Sequence, residues 1–508
     1  MNKIDSGKDW TFEEVENTYI EIEKISKEMF GLATYPNQIE IISTEQMLDA
    51  YAANGLPIFY DHWSFGKLFV REQEMYRRGQ MGLAYEIVIN SNPCVSYLME
   101  ENTMGMQALV MAHACFGHNA FFKNNQLFKQ WTSADAIIDY LVFAKNYIKD
   151  CETRHGAKEV EKILDACHAL KYFGVDRYKR PPRLSKEKEE QRLKSRAEYD
   201  SQNFNDIWKT VPRKQDDSKE PSQQEKFPKE PEENILYFIE KNAPNLDEWK
   251  RELIRIVRKI SQYFYPQMLT KTMNEGFAAF VHYSIIYEMY ERDLVTNGFM
   301  LEFQKNHTNV LLQHPYTQQI NPYALGMGIY QDIKRVAMSP TKEDERWFHH
   351  DFVGTGDWLA AVRFAMENFK DESFILQYLS PKVMRDFGLM CVLDDDHNPE
   401  LIVEAIQDEY GYTRIRELLS EQCNVNNLMP NIQVINVDVW GDRSLELVHR
   451  TSRRHALHEL KAIATLEHLA YLWGYQVRLN TVDETGKNIQ TLQLDANRLK
   501  KNLEFFSI

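Results

Sequence analysis

Two histidines, His113 and His118, close an apolar run that begins near Thr103, within Met111-Ala-His-Ala-Cys-Phe-Gly-His-Asn-Ala-Phe-Phe-Lys-Asn-Asn125. Imidazole is the commonest protein ligand for zinc and also suits copper, iron and nickel. The spacing poses a geometric problem. On an ideal α-helix, positions five apart point roughly 140° away from one another. Both rings then face one ion where the helix ends or bends, and Gly117 between them is the residue that permits such an end. A second pair lies downstream in Glu275-Gly-Phe-Ala-Ala-Phe-Val-His282, where Glu275 and His282 stand two helical turns apart on nearly the same face. The small Gly276, Ala278 and Ala279 let the His113 helix lie against that face. His113, His118, Glu275 and His282 therefore form a candidate ligand set for a divalent metal ion, with zinc the expected species. Two turns span about 11 Å, so a straight helix brings Glu275 to the ion with His113 and His118 and leaves His282 to support a ligand. The competing reading is four buried polar residues bonding to one another in a helical core.

A bound divalent ion brings the pKa of its water down towards neutrality, which is the chemistry of a metal-dependent hydrolase. A base is then needed, and Glu86, Glu101 (with its neighbour Glu100) and Asp165 are the candidates. His62, in the aromatic stretch Phe59-Tyr-Asp-His-Trp-Ser-Phe-Gly-Lys67, is a candidate substrate-binding residue. Arg177 and Lys179 are two more: they follow the Asp165/His168 helix directly, and anionic substrate groups need such partners. Asp165-x-x-His168 and Glu152-x-x-His155 also match the i, i+3 pairs of carboxylate-bridged di-iron bundles. Those sites take glutamates from two further helices, and Glu275 is the one that presents itself.

The elements that must hold these residues are mostly helical. Apolar residues recur at three and four from Trp10 to Leu32 with Thr11 as cap, and further helices are expected over Gln46–Ala53, Leu68–Arg78, Ser133–Lys149, Lys158–Phe173, Leu246–Tyr263 and Gln267–Tyr290. Ala84–Asn90 is β-branched and bounded by Gly82 and Asn92-Pro93, hence a strand. Gly354-Thr-Gly-Asp-Trp358 is a turn that caps a helix at Asp357. Beyond Met390, strands over 431–440, 444–450, 476–480 and 490–494 enclose a helix over 455–473. The fold class is α+β: a predominantly helical core with a small C-terminal α+β domain. Its parts are a helix-rich stretch 1–180, a charged flexible insertion 181–233, the helix-rich remainder of the core 234–380 and the C-terminal domain 381–508. The insertion, rich in Lys, Glu, Gln, Ser and Pro, cannot bury enough apolar surface to fold alone.

The chain has 508 residues, 43% of them hydrophobic and 27% charged, and a net charge of −15. That is ordinary globular usage, large enough for more than one core. The acidic balance argues against general nucleic-acid binding by phosphate neutralisation. No run of about 18 apolar residues is present, so no membrane span is expected. The six cysteines are scattered without paired spacing and read as reduced thiols of a cytoplasmic protein.

Several stretches together resemble one family. They are Tyr60-Asp-His-Trp-Ser-Phe-Gly-Lys67, Glu86-Ile-Val-Ile-Asn-Ser-Asn-Pro-Cys94, His113-Ala-Cys-Phe-Gly-His-Asn119, Leu164-Asp-Ala-Cys-His-Ala-Leu170, Gly174-Val-Asp-Arg-Tyr-Lys-Arg-Pro181, Met273-Asn-Glu-Gly-Phe-Ala-Ala-Phe-Val-His282 and Asn321-Pro-Tyr-Ala-Leu-Gly326. On these the chain is identified as a member of the stage V sporulation protein R (SpoVR) family, over nearly its whole length. The family takes its name from formation of the spore cortex, a peptidoglycan layer, and the resemblance carries no activity with it. Two positions depart from the expected pattern: Phe277 stands where tryptophan is expected and His155 where tyrosine is. A local likeness also connects the His-x-x-x-x-His segment and the later Glu-Gly-aromatic-Ala helix to zinc peptidases. Those enzymes place a glutamate base directly after the first histidine, and here that position is Ala114. The combined expectation is a metal-dependent hydrolase acting on an amide bond in a peptide or peptidoglycan-related substrate. The alternative is a non-enzymatic regulatory or scaffold protein that meets a protein partner through the insertion or the C-terminal domain.

Overall fold

The computed structural model describes residues 3–53, 59–77, 86–178, 191, 194–195, 227–313, 320–348, 352–393, 402–451 and 457–494. The chain forms two units, one of residues 1–164 and 259–430, the other of residues 165–258 and 431–508.

The first unit is a helical body with a small sheet. Strand β1 (Asn37–Ile42) runs parallel to β3 (Cys94–Met99), and β2 (Glu86–Ile89) pairs antiparallel to β3, giving the order β1-β3-β2. A two-stranded ribbon, β4 (Cys391–Leu393) with β5 (Ile402–Ala405), lies later in the chain. The N-terminal helix Phe12–Met29 starts at Thr11 with a reciprocal bond to Glu14, which satisfies two of the free N–H groups of its first turn. Its apolar stripe, with Val15, Ile22 and Ile25, is buried.

At the centre of this unit is the helix Lys271–Glu291. It is buried almost all round from Thr272 to His282 and along one side beyond, with Met273, Phe277, Phe280, Ile285, Ile286 and Met289 all in the core. A helix apolar all round belongs inside a large body, and each such side chain contributes about 1.5–3 kcal/mol by leaving water. Two close crossings fix its neighbours. A Cβ on Gly117 would lie 2.6 Å from the Ala278 Cα, and one on Gly276 would lie 2.3 Å from the backbone of Gly326, in the helix Pro322–Met338. Gly276 therefore serves the Pro322–Met338 crossing, and the histidine segment approaches over Ala278.

The second unit carries the sheet β6 (Asn431–Val437), β7 (Leu445–Arg450), β8 (Val477–Val482) and β9 (Asn488–Leu494), in that order. β6–β7 and β8–β9 are antiparallel, while β7 and β8 run parallel and are linked by the helix Glu459–Trp473. The strand, strand, helix, strand, strand order expected from alternation is the order found. Residues 227–233 are also described, and Glu232 pairs antiparallel with Val434. Most of the charged 181–233 stretch lies outside the described residues.

Element boundaries differ from expectation in three informative places. Thr103 caps its helix by accepting the Met106 N–H, and the helix carries on past Gly117 instead of ending there. Ser133 does not cap the next long helix, which starts at Ile137 behind Ala136. The helix Glu248–Leu269 continues through Pro266, past the end expected at Tyr263. Asp357 does cap the helix Trp358–Asn368, behind Gly354 and Gly356 at positive φ. No described helix is long and apolar enough to cross a membrane.

Candidate metal centre

The histidine segment is where the backbone departs from regular geometry. Met104–Met111 is α-helical, Ala112–His118 is a π-helix and Asn119–Asn124 returns to α. The Asn119 N–H reaches the Ala114 carbonyl, five residues back. In a π-helix each turn is widened to an i→i+5 bond, a rare feature that is frequent at functional sites. Widening brings residues five apart towards one face, so His113 and His118 meet with ring centroids 4.6 Å apart. The geometric conflict is thus relieved by a wider turn, and Gly117 contributes close packing against Ala278 rather than a helix end.

Both rings offer Nε2 to the same place. Glu86 Oε1, from edge strand β2, is 3.3 Å from His113 Nε2 and 3.8 Å from His118 Nε2. Glu275 Oε2 is 3.4 Å from His118 Nε2 and 3.7 Å from His113 Nε2. The ligand atoms of Glu86, His113 and His118 lie within 4.8 Å of one another and could hold a metal ion. Glu86 Oε2 is buried with no hydrogen-bond partner among the described residues. A cation in the cluster satisfies such an acceptor, so the residues present fit a metal.

The Nδ1 atoms are each held from behind. His118 Nδ1 is 2.9 Å from Asn274 Oδ1, an acceptor that keeps a proton on Nδ1 and frees Nε2. His113 Nδ1 is 2.8 Å from His282 Nδ1, and His282 Nε2 is 2.8 Å from His307 Nδ1. His282 thus bonds to a candidate ligand and to a third imidazole. Tyr323 sits with its ring 6.5 Å from that of His113 and its phenol bonded to Glu275.

The electrostatics separate the two carboxylates. Burial raises the Glu86 carboxyl, and Glu275 adds to the rise against the pull of His113 and His118. Burial acts on Glu275 too, but His118 and His113 outweigh it and hold that carboxyl far below its ordinary value. Burial opposes charge on His118, yet Glu275 and Glu86 carry its pKa up to about 9. His282 is pushed well below its usual value by burial and by the neighbouring imidazoles.

Glu101 accepts the Thr44 N–H at 3.4 Å on an exposed surface. His62 is buried, with Nδ1 2.7 Å from Ser64 Oγ. Asp165 lies in the second unit, where its charge acts on His468. Arg177 is half-buried in the same unit, and Lys179 lies outside the described residues. Three site residues were not singled out from sequence: Asn274, His307 and Tyr323. Asn274 adjoins Glu275 and Tyr323 falls in the Asn321–Gly326 motif, so both were within reach. His307 stands in no motif.

Comparison with known proteins gives a consistent result. The SpoVR like protein family model matches residues 9–428, and the SpoVR-like C-terminal domain matches residues 430–484. The chain is similar to the Escherichia coli (strain K12) protein named "Uncharacterized protein YcgB", with 54% identity over 494 residues, 96% of each chain. No solved structure matches. With family models covering most of its length and a relative matched almost end to end, the chain belongs to the SpoVR family.

Proposed function

We propose that this protein is a metal-dependent hydrolase whose centre is built from His113, His118, Glu275 and Glu86. The observation that carries the reading is the convergence of two imidazole Nε2 atoms and two carboxylates within 3.3–3.8 Å, with the Nδ1 atoms already engaged. Two histidines and one glutamate are a known catalytic zinc set that leaves a coordination position open. We assign Glu275 as the anionic ligand, since His118 and His113 favour its charged form. Glu86 takes the role that Ala114 cannot fill: its Oε2 is unpartnered and burial raises its pKa, which makes it the better proton acceptor. A divalent ion, zinc in the first instance, supplies a water acidified towards neutrality when bound. His282 and Asn274 hold the two ligand rings in orientation. The substrate class we favour is an amide bond in a peptide or peptidoglycan-related fragment, a choice supported by the cortex association in the family's name.

Metal analysis of purified protein tests this directly. About one equivalent of zinc or a similar ion is expected, lost in His113→Ala and Glu275→Gln and kept in Glu86→Gln. Wild type without stoichiometric metal after growth and purification with zinc would sink the reading. Loss of metal in Glu86→Gln would move Glu86 from base to ligand.

A further inference from the structure

The first unit also holds a cavity of about 770 Å³ at the far end of the histidine chain. His307 lines it, and with its Nδ1 held by His282, Nε2 is the ring atom left for a cavity occupant. Leu311, Met327 and Phe387 supply apolar wall. Asp332 lines the cavity at 4% exposure. Its Oδ1 is 2.7 Å from Arg335 Nε, but its Oδ2 is buried with no hydrogen-bond partner among the described residues. A buried carboxylate oxygen left unpartnered is costly, and native proteins keep few of them. Lys382 and Arg385 line the same cavity. Lys382 pairs with Asp386, and Arg385 grips Glu343 through both terminal nitrogens at 2.6 and 2.9 Å. The cavity therefore carries charges of both signs beside an apolar wall, and its volume falls within the range of small-molecule sites.

We propose that this cavity is a second ligand site, for a small zwitterion of the amino-acid or short-peptide class. The Asp332 carboxylate, whose Oδ2 is closed off in this structure, turns towards the cavity and accepts from the ligand's ammonium group, and Lys382, with two of its three N–H donors beyond the Asp386 pair, takes the carboxylate. Binding here does not require a metal at His113, His118 and Glu275, so the two readings fail separately.

The test is calorimetric titration of the full chain with alanylalanine, its N-acetyl derivative and its C-terminal amide, before and after chelation. Saturable one-to-one binding of the free dipeptide is expected, unchanged by the chelator. N-acetylation and Asp332→Asn should each weaken it about tenfold or more, the loss of a charge-assisted hydrogen bond. Because Asp332→Asn also loosens Arg335, the exposed Lys382→Ala is the second variant. It should weaken the free dipeptide at least fivefold and leave the already weak amide form unchanged. No saturable heat with wild type overturns the proposal, as does binding indifferent to N-acetylation. Equal loss for dipeptide and amide in Lys382→Ala overturns the carboxylate assignment.

Discussion

Glu86 and Glu275 are the same chemical group in one small volume, and their surroundings make them unlike. Each faces both Nε2 atoms, yet Glu275 is tied to Tyr323 and held ionised by two imidazoles, while Glu86 keeps one oxygen unpartnered. Environments that push two titratable groups apart are how acid and base roles are divided. The residues behind the ligands can be tested without knowing a substrate. Asn274→Ala removes the acceptor on His118 Nδ1. Zinc affinity, measured by competition with a chelator, should fall about 10- to 100-fold while circular dichroism stays that of wild type. Unchanged affinity would show that Asn274 does not orient the ring. At this scale the sequence was readable where chemistry-bearing residues stood close together, as at His113/His118. His307 was not readable: it joins the site through His282, 25 residues away in the chain, and no local pattern encodes that meeting.

Among the elements, the π-helix decides whether the site exists. It packs on the Lys271–Glu291 helix at Gly117, where an added Cβ would meet the Ala278 Cα at 2.6 Å and its Cβ at 2.7 Å. Gly117→Ala should therefore cost about 1–3 kcal/mol in stability and also lower zinc occupancy, since the rings on either side shift with the segment. A variant with wild-type melting temperature and full metal would refute this. Periodicity located the helix but could not show the widened turn, because a π segment is set by what packs against it. The C-terminal strands were readable for the opposite reason: alternation with one buried face is a local signal. The Lys271–Glu291 helix carries a second testable feature at its start. Asp371 accepts the Thr272 and Met273 N–H groups at 2.9 and 2.8 Å, and burial pushes its pKa up to about 7. A carboxyl raised in the folded state binds its proton more tightly there than in the unfolded chain. Its contribution is full below the unfolded value near 3.8 and is lost as pH rises through about 7. Stability should fall between about pH 4 and pH 7 by more in wild type than in Asp371→Asn. Parallel profiles from denaturant titrations at several pH values would rule the assignment out.

At the scale of the whole molecule, the two units draw on different stabilising groups, and that can be measured. The metal ligands proposed here all belong to the unit of residues 1–164 and 259–430. The other unit has its own polar anchor in Glu240, whose side chain is fully buried. Burial works against its charge, but Lys241, Arg258 and Arg255 hold its pKa below the ordinary value, with Arg255 Nε and Arg258 Nε each 3.0 Å from its oxygens. Removing Glu240 takes a shared acceptor from Arg255 and Arg258, which keep some exposure to water, so the cost is that of lost charge-assisted hydrogen bonds, about 1.5–3 kcal/mol. A ligand that binds only the folded form stabilises by about 4 kcal/mol at a thousandfold excess over its dissociation constant. Zinc should accordingly raise the unfolding temperature of the first unit, and Glu240→Ala should lower that of the second. Hydrogen exchange read by mass spectrometry assigns each effect to its residues. Zinc is expected to slow exchange in peptides containing 104–124 and 271–291. Glu240→Ala is expected to speed it in 235–242 and 445–450. If zinc protected both sets equally, or Glu240→Ala opened the histidine segment as much as its own unit, the stabilising groups would not be separable in this way.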